Sequence, residues 1–104
     1  MRTAPGIILL IEFDWPQPIT PEHAHNARRL HDLTQDQDWI REIIAGSGGV
    51  GAGPHSLWVF WLDGYAALER LLSSHDDPIA MAYRSCFDAM AAVSSKIRTE
   101  VRFL

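Results

Sequence analysis

The sequence predicts an α+β fold of order β-α-β-β-α-β, a four-stranded antiparallel sheet carrying its helices on one face. Three observations predict it. The segments Gly6–Phe13 and Ser56–Leu62 are apolar at odd and even positions alike, the pattern of strands covered on both sides. Two proline-opened helix starts, Thr20-Pro21 and Asp77-Pro78, alternate with the strand segments. Right-handed crossovers between these elements then put strands one and three, the two most apolar, at the centre of the sheet.

Each element follows from local chemistry. After the first strand, Asp14-Trp15-Pro16-Gln17-Pro18 makes a rigid connection. Thr20 as N-cap, Pro21 at the first helical position and Glu22 in the first turn open a helix over Pro21–Leu33. Its Ala24, Ala27, Leu30, His31 and Thr34 recur with helical period and give a narrow inner face of small residues. Past the polar turn Gln35–Asp38, Trp39–Ala45 reads either as a helix extension or as an edge strand. Its isoleucines and the glycine run behind it select the strand. Asp63 is expected to cap a short helix through Leu72, and Asp77 a longer one with the stripe Ile79, Ala82, Tyr83, Cys86, Met90, Val93 and Ile97. Arg98–Phe103, with alternating Thr99, Val101 and Phe103, closes the chain as the fourth strand.

At 104 residues, 47% hydrophobic and 21% charged, the chain has room for one domain, residues 1–104, with one core. Helices over one side of the sheet leave little to cover the other, which makes a homodimer paired through the sheet the expected assembly. A formal charge of -4 and a pI near 5.6, with scattered basic residues, argue against a nucleic-acid partner. The lone Cys86 excludes an intrachain disulfide framework and a thiolate cluster. The N-terminal apolar run is broken by Glu12 and is too short for a signal segment or a membrane span, so a cytoplasmic location is expected.

The chain resembles the dimeric α+β-barrel superfamily, which includes the antibiotic-biosynthesis monooxygenase, NIPSNAP and stress-responsive barrel families. The residues that carry the likeness are Leu57–Asp63 running into Ala66-Ala67-Leu68, Asp77-Pro78 opening the last helix, and Arg98-Thr99-Glu100-Val101. They are strand, cap and packing residues. The resemblance therefore implies a ferredoxin-like βαββαβ domain that pairs into a dimeric barrel, and it implies small-molecule chemistry without choosing a reaction.

Gly46-Ser47-Gly48-Gly49-Val50-Gly51 spells G-x-G-x-x-G, but a strand follows it where a dinucleotide site needs a helix. The run reads as a flexible hairpin loop, able to act as a lid. The five histidines lack an i, i+4 pair: His23 and His25 diverge on a helix, while His23 and His31 share one broad face about 80° wide without chelating. No metal is expected. His25, His55 and His75 read as solvated or locally hydrogen-bonded.

Glu12 stands in an apolar central strand, where a carboxylate is costly unless solvated, paired or functional. It is either a rim residue paired with an arginine or a base with a raised pKa, and His31 is its natural second member, if it is not simply packed. Trp58 and Trp61 differ in strand parity, so one faces the helices and the other the partner subunit. Either tryptophan packs in core or interface, or it walls a site for a flat ligand. Cys86, Met81 and Met90 read as core filler.

Together these residues suggest a homodimeric protein of secondary metabolism, in a pigment or antibiotic pathway. It would bind a planar aromatic metabolite between sheet and helices. His23, Arg41, Trp58 and Tyr83 would contact the ligand, and Glu12 and His31 would be the catalytic pair. Chemistry without a cofactor would begin with proton abstraction, Arg41 or Tyr83 stabilising the anion, and end in oxygenation, isomerisation or ring closure. A non-catalytic escort for a biosynthetic intermediate is the alternative.

Overall fold

The computed structural model describes residues 4–103. Its elements are β1 (Ile7–Asp14), α1 (Pro21–Thr34), β2 (Ile40–Ser47), β3 (Ser56–Leu62), α2 (Tyr65–Ser73), α3 (Pro78–Phe87) and β4 (Ala91–Thr99). The four strands form one antiparallel sheet of order β2-β3-β1-β4, with the two apolar strands central as expected.

The sheet has two unlike faces. Ile7, Leu9, Ile11 and Phe13 of β1 and Trp58, Phe60 and Leu62 of β3 are buried in the core with Leu30 of α1, Leu68 and Leu71 of α2, and Ile79, Ala82, Cys86 and Phe87 of α3. Phe13, Trp58, Phe60, Tyr83 and Phe87 meet there in edge-on and tilted ring pairs 5.0–6.3 Å apart. On the opposite face, Ile8 and Leu10 of β1 are half-buried and lie beside Trp61 and Val59 of β3. The register adds Glu42 and Ile44 of β2 on one edge and Lys96 and Arg98 of β4 on the other.

The helix starts at Thr20 and Asp77 are as the sequence predicts. Thr20 Oγ1 accepts from the His23 backbone N–H at 3.4 Å, and Asp77 Oδ1 accepts from the N–H groups of Ile79 and Ala80 at 2.8 and 3.3 Å. Three expectations are corrected. Asp63 does not cap α2: Gly64 occupies that position in extended conformation, and Asp63 accepts from Arg41 instead. The last helix ends at Phe87, and β4 begins at Ala91, not Arg98. Val93 and Ile97, expected on the helix stripe, are therefore exposed strand residues, while residues 100–103 lie past the strand. Met81 is exposed rather than core filler, whereas Cys86 is buried and its thiol is pushed up to about 11 by burial.

The glycine run is the β2–β3 hairpin loop. Gly48, Gly49, Gly51 and Gly53 all take positive φ, which explains the glycines without any nucleotide. No helix among the described residues is long and apolar enough to cross a membrane.

Candidate functional site

The inner face of α1 does not close on the sheet along its whole length. Leu30 and Thr34 are buried near its C-terminal end, but Ala24 and Ala27, lacking bulk, leave a cleft of about 720 Å³. Pro21, Ala24, His25, Ala27, Arg28, His31 and Asp32 form its helical wall, and Trp58 is its sheet-side surface. Trp58 is held rigid by Phe60 and Phe87, with centroids at 5.8 and 5.7 Å. The cleft thus offers a fixed indole, a wall of small apolar residues and a few polar tips, the composition of a small-molecule site.

His31 is half-exposed, its side chain 51% accessible. Its Nδ1 lies 3.7 Å from Asp32 Oδ1 and its Nε2 lies 3.5 Å from Gln35 Nε2. Gln35 Nε2 also donates to the His31 carbonyl at 3.2 Å, which fixes the amide nitrogen toward the ring. These partners favour the tautomer with Nδ1–H toward Asp32 and an Nε2 lone pair that accepts from the Gln35 amide over a long 3.5 Å contact.

Of the remaining expected site residues, only Trp58 stands in the cleft with His31. Glu12 pairs across the strands with Leu57, on the same face as Trp61, so the sheet itself separates it from His31. There Glu12 Oε1 meets Lys96 Nζ at 3.3 Å, and the carboxylate borders a smaller cavity of about 310 Å³ under the glycine loop. Glu12 does pair with a cation, though a lysine rather than an arginine. His23 is engaged in capping: its Nδ1 accepts from the Thr20 N–H at 3.2 Å. Tyr83 packs on Phe60 and Phe87, and burial pushes its phenol well above the usual range, with Cys86 and Asp88 adding to the shift.

Arg41 is the centre of a separate polar cluster. It shares a crevice with His31, but its side chain is only 8% accessible and its guanidinium turns away to Asp63 Oδ1 at 2.9 Å, Glu100 Oε1 at 3.1 Å and the Ala4 carbonyl. Glu100 Oε1 also accepts from the Gly6 N–H at 2.7 Å and from Trp61 Nε1 at 3.0 Å, while Arg102 donates to Oε2 at 3.2 Å. The Gly6 bond does most to hold the Glu100 carboxyl below the ordinary range; partial desolvation opposes it, and Trp61 and Arg102 add to it.

Sequence reasoning did not single out Arg28 or Asp32; His25, read as solvated or locally hydrogen-bonded, is indeed exposed and stands on the cleft wall. The signal was present: Arg28 lies four residues after Ala24 and three before His31, the spacing of neighbours on one helical face. Among the described residues, no group of three or more His, Cys, Asp and Glu side chains is placed to hold a metal ion.

Fold and cleft together define a ferredoxin-like α+β protein with an open cavity between its first helix and its sheet. Solved structures share this fold across nearly the whole chain. A dimeric ferredoxin-like protein of unknown function from Thermobifida fusca aligns with a TM-score of 0.67 at 20% identity, covering 96% of this chain and 95% of its own. The hydroxynitrile lyase of Passiflora edulis aligns with a TM-score of 0.71 at 12% identity, covering 96% and 98%. SnoaB, a cofactor-independent oxygenase from Streptomyces nogalater, aligns with a TM-score of 0.67 at 11% identity, covering 98% of each chain. The fold expected from the resemblance is thereby borne out. No protein-family model matches the sequence, and no curated protein matches it.

Proposed function

We propose that the protein is a cytoplasmic homodimer of secondary metabolism, in a pigment or antibiotic pathway, that binds a planar aromatic metabolite in the α1 cleft, one per subunit. The observation that carries this proposal is the cavity itself: about 720 Å³ bounded by the Trp58 indole and by Ala24 and Ala27, with the His31 imidazole on its wall. A flat ring stacks on an indole, and small helical residues leave space for its thickness. The likeness to a cofactor-independent oxygenase supports chemistry driven by the ligand's own acidity.

In this scheme His31 is the base. Once the bound ligand displaces the Gln35 amide, Nε2 takes an acidic proton from the ligand, leaving an enolate or phenolate, and Asp32 stabilises the resulting imidazolium through its Nδ1–H. The electron-rich anion then proceeds to oxygenation, isomerisation or ring closure. Glu12 does not act in this cleft.

Association through the open sheet face has separate support. Ile8, Leu10, Ile44, Leu57, Val59 and Trp61 present apolar surface there, and Ile44 is 57% exposed in the single chain. Basic Lys96 and Arg98 flank this patch on the β4 edge and acidic Glu42 on the β2 edge. A second copy turned so that β4 meets β2 buries the patch and pairs the edges.

A second reading, escort without catalysis, is favoured by one observation: the Glu12 carboxylate and the Arg41 guanidinium are turned away from the cleft and Tyr83 is packed, leaving His31 with little chemical help. His31→Ala separates the two readings. Catalysis requires turnover to fall by about 10²–10⁴-fold with ligand affinity nearly unchanged; escort requires no turnover in either protein.

Calorimetric titration with 2-naphthol, a neutral planar phenol, tests the site. The wild type should bind one molecule per chain and Ala24→Phe, which fills the cleft from an exposed helical position, should bind none. No binding to the wild type, or equal binding to both, would overturn the assignment.

A further inference from the structure

We infer that the ligand of the α1 cleft is an anion, a planar aromatic acid whose carboxylate or acidic oxygen is held by Arg28. The inference rests on the cleft being the binding site and adds the charge of what enters it. Its basis is an unpaired cation: the cleft wall holds one guanidinium, Arg28, and one carboxylate, Asp32, and the two do not pair.

That carboxylate does not neutralise the guanidinium. Asp32 is four residues from Arg28, where an ion pair forms readily on a helix, but it is placed 3.7 Å from His31 Nδ1 and makes no ion pair with Arg28. Arg28 has no hydrogen bond or ion pair to any other described residue. By contrast Arg41, Arg70, Arg84, Lys96, Arg98 and Arg102 all donate to a carboxylate or a backbone carbonyl. Arg29, the other cation without a partner among the described residues, does not line the cleft.

The geometry suits a bifunctional ligand. Trp58 takes the ring, and Arg28, on the helical wall across the cavity, offers a planar fork that matches a carboxylate or a pair of adjacent oxygens. The same charge would steady a phenolate or enolate formed by His31, a role expected from the residues alone of Arg41 or Tyr83.

The test compares 2-naphthoate with its neutral isostere 2-naphthamide by calorimetry on the full chain. The wild type should bind 2-naphthoate about tenfold or more tightly than 2-naphthamide, the difference a charge-assisted hydrogen bond supplies. Arg28→Gln should erase that preference while leaving 2-naphthamide within about twofold, and Arg29→Gln, which removes an equal charge beside the cleft, should preserve it. Equal affinity for the two probes, or a preference that survives Arg28→Gln, would overturn the inference while 2-naphthol binding keeps the cleft. Failure of all three probes to bind would remove both.

Discussion

Arg41 and Glu100, 59 residues apart, meet at 3.1 Å and tie β2 to the segment that follows β4. The Gly6 N–H, Trp61 Nε1 and Arg102 Nε also donate to this carboxylate, so one acidic side chain joins the start of β1, the middle of the sheet and the end of the chain. Its folded pKa lies below the unfolded value of 4.5. The stabilisation is thus complete above that value and is lost as pH falls through the folded pKa. Thermal melts should show a midpoint that declines below about pH 4.5. Glu100→Gln should lower the midpoint at pH 7 and shrink that acid decline, with Asp77 retaining part of it. Desolvation raises the Asp77 carboxyl, but the Arg70 bond and the Ile79 and Ala80 amides outweigh it and hold it low.

Gly6 shows how tightly this cluster is built. A Cβ there would intrude on the Leu62 carbonyl oxygen and would come within 2.9 Å of an Arg41 guanidinium nitrogen and 3.0 Å of Trp61 Nε1. The Leu62 carbonyl is backbone in a central strand and cannot give way. Gly6→Ala should destabilise the fold by about 1–3 kcal/mol in a denaturant titration; an unchanged midpoint would show that the strand shifts freely.

Ile44 tests the sheet-to-sheet association without touching that cluster. Light scattering should give the wild type twice the 11.7 kDa chain mass and Ile44→Glu the single-chain mass. The variant should keep its helical and strand signal, because Ile44 is exposed in the isolated chain.

The fold was legible because several levels of sequence agreed: β1 and β3 are apolar throughout, Thr20 and Asp77 carry proline behind a capping oxygen, and connectivity puts the most apolar strands in the middle. The boundary between α3 and β4 was not. Met90, Val93 and Ile97 continue the helical spacing from Ile79, while Val93, Ser95, Ile97 and Thr99 also alternate as a strand, and no glycine or proline lies between Asp88 and Ala91 to mark the turn. Asp63 misled for a related reason, since a good capping residue is also a good partner for an arginine such as Arg41.

The site was half legible. Parity correctly sent Trp58 and Trp61 to opposite faces, but with both faces apolar nothing in the sequence said which belonged to the helices. Glu12 shares its face with Leu57 and Trp61, so placing it beside His31 required the pairing register. His23 looked like a ligand contact because the sequence hid its bond to the Thr20 N–H. Arg28 escaped notice because a charged residue beside a helical stripe ordinarily marks a solvated face.

The most direct measurement is an amide and indole chemical-shift map of the ¹⁵N-labelled protein titrated with 2-naphthol. The account predicts that the Trp58 indole N–H and the amides of Ala24 to Asp32 move together and saturate at one equivalent per chain. Shifts confined instead to Glu12, the glycine loop and Leu57, with Trp58 unmoved, would contradict it.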